Sequence, residues 1–342
     1  MKVAIGYQVV DGPWGGGNRF VSALAESLVN KGHIVVYSLQ DDDIDLILMI
    51  DPRARLENIP FGAGAIIRYL LLRNKNAVVV HRINECDERK NTKTVNFRLR
   101  LANYVADHTI FVGSWLKELG VWFERDHSKS SVILNGAEPK VFHSIGQIAW
   151  DGDEPLKLVT HHWGGNWMKG FDVYQRIDEM LSESHWKDRI RFTYIGNIPK
   201  GFEFQNATLI EPLDSSRLAN ELRNHHVYVT ASMNEPGGNH QNEGALCGLP
   251  LIFRNSGSMP EYCSGYGLMF EGLRDFEIVL DQMTKEYSNW KERITQYPHR
   301  IDQTIANYLK LFEDLCSNRS EILADRKLWS NLPLLLLNQI KI

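Results

Sequence analysis

The strongest constraint on the fold is a rhythm. Short apolar runs alternate with stretches of helical periodicity, and the alternation occurs in two successive sets. In the first set the runs are Val3–Ile5, Ile34–Tyr37, Leu46–Ile50, Ala77–His81, Thr109–Val112 and Val132–Leu134. They are rich in β-branched residues and bounded by turn signals, as strands covered on both faces must be. Between the first two runs, Phe20, Leu24 and Leu28 recur at helical spacing, and Gly32 follows as a stop. The second set comprises Leu156–Thr160, Ile190–Tyr194, Ala207–Ile210, Val227–Val229, Leu251–Phe253 and Leu268–Phe270. Phe171, Tyr174, Ile177 and Leu181 mark one helix within it, and Leu218 and Leu222 another. Such β-α-β alternation predicts an α/β chain with two doubly wound parallel sheets.

A chain of 342 residues has room for about two domains. The segment Gly146–Pro155 is short of apolar residues and is the expected linker. The expected division is an N-terminal Rossmann-like domain over 1–150 and a second over 151–300. A C-terminal helix and tail over 301–342 completes it, with Ile301, Ile305, Tyr308, Phe312 and Leu315 at helical spacing.

A net charge of −4 argues against nucleic acid as a partner. The four cysteines show neither C-x-x-C nor zinc spacing, which suits a reducing compartment. The opening residues do not resemble a signal peptide, and no apolar run approaches bilayer length, so a cytoplasmic location is expected. The stretch Ile66–Lys75 mixes apolar and basic residues as interfacial helices do, which raises peripheral membrane contact; its pattern fits an ordinary core-facing helix better. Neither G-x-S-x-G nor a Walker sequence occurs, which weakens esterase and kinase readings.

Four segments carry chemistry. The first βα turn holds Gly15, Gly16 and Gly17 ahead of a helix, which lets the backbone approach a phosphate; the spacing is not that of a dinucleotide fingerprint. His81 closes an apolar run, where α/β proteins place ligand groups, and is followed by a dense polar run from Arg82 to Lys90. The second set opens with His161-His162-Trp163-Gly164-Gly165-Asn166-Trp167-Met168-Lys169-Gly170, which sets Lys169 at a helix entry as a point charge for a diphosphate. Neighbouring side chains on a strand point to opposite faces, so His161 and His162 are poorly placed to share a metal. Asp41-Asp42-Asp43 reads as a solvated turn. Last, Glu235 and Glu243 bracket seven residues that include Gly237, Gly238 and Asn239. The expected geometry is strand, turn and helix start, with amides for an anion and carboxylates for sugar hydroxyls.

With these segments in place, the chain resembles a retaining glycosyltransferase of family four, with the GT-B fold. The resemblance covers nearly the whole chain and is most specific at Glu235-x7-Glu243 and the following Gly244-Ala245-Leu246-Cys247-Gly248-Leu249-Pro250. It implies two Rossmann-like domains facing a cleft, with a last helix that returns to the first. The donor, a nucleoside diphosphate sugar, would be held mainly by the second domain. Glu243 resembles the glutamate on the donor ribose and Glu235 the one facing the transferred sugar. The resemblance puts Gly237, Gly238 and Asn239 at the sugar and phosphate, Lys169 on the pyrophosphate, His81 near the sugar and Gly16 near the phosphates. The family's arginine six residues before that lysine is replaced here by Trp163. The missing charge could come from Arg19, Arg82 or one of the histidines at 161 and 162. The implied activity is transfer of a hexose to a hydroxyl of a sugar, glycan or lipid-linked acceptor, with no metal or other cofactor expected. A nucleotide-sugar epimerase and a non-catalytic nucleotide-sugar-binding protein are the rival readings.

Overall fold

The computed structural model describes residues 1–10, 16–52, 57–119, 129–326 and 332–338. Each apolar run named above overlaps a strand, Val132–Leu134 by Val132 alone, and every strand pairing among the described residues is parallel. The strands are β1 (Lys2–Ile5), β2 (Ile34–Val36), β3 (Leu46–Met49), β4 (Val78–Ile83), β5 (His108–Phe111) and β6 (Ser130–Val132), then β7 (Leu156–His162), β8 (Ile190–Gly196), β9 (Thr208–Ile210), β10 (Val227–Thr230), β11 (Leu251–Arg254) and β12 (Gly267–Phe270). The first six form one sheet in the order β2-β1-β3-β4-β5-β6, and the others a second in the order β12-β11-β10-β7-β8-β9. In each sheet the direction of winding reverses once, between β1 and β3 and between β7 and β10. Open α/β sheets bind ligands beyond the carboxyl ends of the strands at such a reversal.

Two compact units result: Met1–Leu134 with Asp302–Ile342, and Asn135–Ile301. The chain thus changes unit at Leu134 rather than near residue 150, and Gly146–Pro155 lies inside the second unit. A few side chains anchor that polar segment. Trp150 sets its ring 5.6 Å from that of Tyr287 and donates its backbone N–H to the Tyr287 hydroxyl at 3.1 Å. Gln147 donates to the carbonyl of His225 at 2.9 Å. Composition reports average polarity and misses single anchors of this kind.

In the first unit the helix Gly16–Asn30 buries Phe20, Val21, Leu24 and Leu28. The helix Ala63–Leu72 turns Ile66, Ile67, Tyr69 and Leu70 inward, so the stretch singled out for membrane contact spends most of its apolar residues on the core and leaves Leu72 exposed. No helix among the described residues is long and apolar enough to cross a membrane. The C-terminal segment joins this unit through Tyr308, whose ring lies 4.9 Å from that of Phe20 and whose hydroxyl accepts from Arg82 Nε at 3.1 Å. In the second unit Phe171, Tyr174, Phe192, Tyr194, Val229 and Ile252 are among the residues that fill the core.

Candidate functional site

In the second unit the winding reversal puts two loops side by side: 163–170 after β7 and 231–239 after β10. A backbone bond from the N–H of Met233 to the carbonyl of Met168, 2.8 Å, joins them. Lys169 ends a single 3-10 turn, Trp167–Lys169, ahead of the helix Phe171–Met180. Gly170 separates the two with φ 99°, and a Cβ there would come within 2.4 Å of the Cβ of Ala231. Only glycine accepts both the left-handed backbone and that approach.

This geometry brings Lys169 onto Glu235, with Nζ 2.5 Å from Oε2. Both are nearly inaccessible, at 9% and 2%. Burying either charge alone would be costly, and each compensates the other. The backbone carbonyl of Glu235 accepts from Ser258 at 2.9 Å, and the N–H of Asn234 donates to Ser256 Oγ at 2.8 Å. The loop is therefore laid down on the segment that follows β11.

The turn after Glu235 is held by its carbonyls. Asn135 Nδ2 donates to the carbonyl of Gly237 and Gln241 Nε2 to that of Gly238, each at 2.7 Å. Asn135 is itself fixed, donating its N–H to the Tyr262 hydroxyl at 2.8 Å and accepting from Asn242 Nδ2 at 3.1 Å. With the carbonyls drawn inward, the N–H groups of Gly237, Gly238 and Asn239 donate no hydrogen bond among the described residues. The helix His240–Leu246 follows and buries Glu243. Glu243 Oε2 meets His161 Nε2 at 2.8 Å, and the Tyr228 hydroxyl lies 3.1 Å from His161 Nδ1. His162 turns to other partners, the hydroxyl of Tyr174 at 2.7 Å and Thr160 Oγ1 at 3.4 Å.

An arginine–carboxylate pair stands at the same end of the sheet. Arg254, the last residue of β11, binds Asp172 with both terminal nitrogens and donates to the carbonyl of Ala231 at 3.1 Å. It cross-links the loop after β10 to the helix Phe171–Met180. Sequence reasoning missed Arg254, Asn135 and Tyr228. Their types are common, and only the strand order identifies them as neighbours of the loops. Trp163 is half exposed, its carbonyl held by Asn197 Nδ2 at 2.6 Å.

Gly16, Gly17 and His81 belong to the first unit. Gly15, with the rest of 11–15, lies outside the described residues. Gly16 and Gly17 open the helix after β1, at that sheet's reversal. His81 is not the end of its strand: β4 continues to Ile83, with His81 opposite Met49 and Ile83 opposite Phe111. The run of apolar residues stops at His81, but the backbone ladder does not depend on side-chain polarity. His81 is wholly buried, and its Nδ1 bonds Asn103 Oδ1 at 3.0 Å. Burial pulls its pKa down to about 4, so the ring is neutral. Nε2 has no hydrogen-bond partner among the described residues. Asn84 and Glu85 stand at the true strand end, where with Asp51 and Arg98 they line a small pocket.

Arg82 is taken into the first unit's interior, 4.3 Å above the Phe20 ring. The three acids of the 41–43 turn are partly neutralised: Lys2 Nζ meets Asp41 at 3.0 Å and Asp43 at 2.6 Å, and Arg73 meets Asp42 at 3.3 Å. No group of three or more His, Cys, Asp or Glu side chains poised for a metal occurs among the described residues.

No protein-family model matches the chain, and no curated protein sequence matches it. Solved structures match in fold. The catalytic domain of starch synthase IV from Arabidopsis thaliana, bound to ADP and acarbose, gives a TM-score of 0.68 at 12% identity, over 92% of this chain and 99% of that one. HepE from Anabaena, in complex with UDP, gives 0.65 at 11% identity, over 92% and 100%. Sucrose-phosphate synthase from Thermosynechococcus elongatus gives 0.63 at 15% identity, over 92% and 99%. The chain has the two-sheet α/β fold of these GT-B glycosyltransferases.

Proposed function

We propose that the protein is a retaining glycosyltransferase that moves a hexose from a nucleoside diphosphate sugar to an acceptor hydroxyl, in the synthesis of a polysaccharide, lipopolysaccharide or other glycoconjugate. The observation that carries this reading is the Lys169–Glu235 pair at the winding reversal of the second sheet, with Glu243 eight residues further along. An ammonium and a carboxylate held together there match the two ends of a sugar diphosphate. The diphosphate takes Lys169 and the sugar hydroxyls take Glu235, so ligand bonds replace the bond between them. Glu243 accepts from the donor ribose. The fold likeness to proteins whose structures hold UDP or ADP supports a nucleotide ligand.

In the proposed step the bond from the anomeric carbon to the phosphate oxygen breaks, and a bond from that carbon to the acceptor oxygen forms on the same face. The acceptor's proton passes to the departing phosphate oxygen. Negative charge grows on that diphosphate, and Lys169 together with the amides of Gly237, Gly238 and Asn239 stabilises it. Trp163 stands where the family has a phosphate arginine and is assigned to the donor as an exposed aromatic face. The first unit is assigned to the acceptor, and the unpartnered Nε2 of His81 to a sugar hydroxyl.

Titration of the full chain with UDP, ADP and GDP and with the matching nucleosides tests the reading. Glu243→Ala should weaken the nucleotide that binds by about 1.5–3 kcal/mol, the range for a hydrogen bond to a charged group. Lys169→Ala should weaken the diphosphate far more than the nucleoside. Absence of binding by all three nucleotides, or a Glu243→Ala variant that binds like the parent, removes the assignment. An inverted product anomer in NMR would remove the retaining mechanism.

A further inference from the structure

We propose that His161 is a positioning residue for Glu243, and that Tyr228 directs the imidazole proton to the nitrogen that faces the carboxylate. The inference rests on the reading of Glu243 as the ribose ligand. His161 lies one residue before the end of β7, and β10 runs beside it with Tyr228 opposite Val159. The N–H of His161 donates to the Tyr228 hydroxyl at 3.2 Å, and that hydroxyl also lies 3.1 Å from His161 Nδ1. The phenol oxygen already receives the backbone N–H; of the two acceptors its own proton can reach, Nδ1 at 3.1 Å is nearer than the His161 carbonyl at 3.4 Å, and the proton is assigned to Nδ1. The ring proton then sits on Nε2 and points at Glu243 Oε2, 2.8 Å away. Tyr228 is wholly buried, and burial holds its hydroxyl well above the ordinary range, so it keeps its proton.

The helix that carries Glu243 is set by the same tyrosine. A Cβ on Gly244 would lie 2.3 Å from the Tyr228 ring, so glycine lets the helix His240–Leu246 rest flush against that ring. Tyr228 thereby fixes both the backbone beside Glu243 and the base that its carboxylate meets. A carboxylate has about four lone-pair sites, so the bond from His161 does not exhaust its acceptor capacity. What His161 supplies is a carboxylate plane oriented before the ligand arrives, which lowers the ordering cost of binding. The resemblance to family four assigns no role to this histidine.

The test compares UDP, ADP and GDP with their 2′,3′-dideoxy counterparts on the full chain by calorimetric titration. The dideoxy forms offer Glu243 no hydroxyl. His161→Leu should cut the preference for ribose about tenfold, the weight of one hydrogen bond to a charged group, with little change in dideoxy binding. His161→Gln, whose amide N–H reaches in the same direction, should restore most of it. Tyr228→Phe keeps the ring against Gly244 and should cost about threefold through the lost hydroxyl; it carries the test should His161→Leu not fold. Equal losses for ribose and dideoxy ligands, equal losses for Leu and Gln, or an intact preference in Tyr228→Phe would overturn the proposal. Glu243→Ala separates the two levels. If it leaves the ribose preference untouched, the ribose reading itself fails. If it removes the preference while His161→Leu retains it, only the positioning role fails.

Discussion

The two units share one architecture and place their buried and half-buried polar pairs at opposite ends of it. In the first unit Arg326 pairs with Asp107, the residue before β5, and Arg319 meets Asp45, just before β3, at 2.6 Å. Both pairs stand at the amino ends of strands and fasten the C-terminal segment. In the second unit Lys169–Glu235, His161–Glu243 and Arg254–Asp172 gather at the carboxyl ends, around the β7/β10 reversal. The difference is instructive because the chemistry is the same. An ion pair at the amino end of a parallel sheet serves attachment, while one at the carboxyl end stands where open sheets bind ligands.

The largest test of this contrast breaks one pair at each end. Lys169→Met and Arg326→Met should each lower stability to urea by about 3–5 kcal/mol, because each leaves a buried carboxylate without its cation. Only Lys169→Met should also lose nucleoside diphosphate binding in titration; an equal binding loss in Arg326→Met would erase the distinction. A smaller effect concerns the first unit's neutral interior. Unfolded His81 binds a proton below its ordinary 6.5, and folded His81 resists it until about 4. Stability therefore falls as pH drops from 6.5 toward 4, by up to ~3 kcal/mol from this residue. In His81→Gln that share of the acid sensitivity should vanish from pH-dependent unfolding curves; unchanged curves would show that the imidazole does not stay neutral. The smallest effects come from glycines. Gly170→Ala should cost about 1–3 kcal/mol, since it meets both a left-handed φ and Ala231. Gly17→Ala enters open space in the first turn of a helix and should gain about 0.5–1 kcal/mol. Similar melting temperatures for the two variants would show that loop 163–170 is not held as described.

Most of the architecture was legible because it is local. The alternation of β-branched runs and helical spacing marked every strand, though the sixth was set two residues late, and the Tyr308 helix showed its stripe. Lys169, Glu235 and Glu243 were legible as residue types in glycine-rich turns. Their partners were not. Lys169 and Glu235 are 66 positions apart and His161 and Glu243 are 82 apart, and no periodicity spans such distances. His81 illustrates the opposite error, because an apolar run ended while its strand continued.

By itself the sequence determined two parallel α/β sheets and the glycine-rich turns that carry Lys169 and Glu235, since burial of one face or stripe leaves a periodic trace in every segment and glycines mark the turns between them. Only the tertiary structure decided that β10 lies beside β7, which carboxylate faces Lys169 and which faces His161, and how deep His81 sits. Those outcomes follow from the order in which strands pair, a choice made by packing between segments far apart in the chain, and no single segment carries its record.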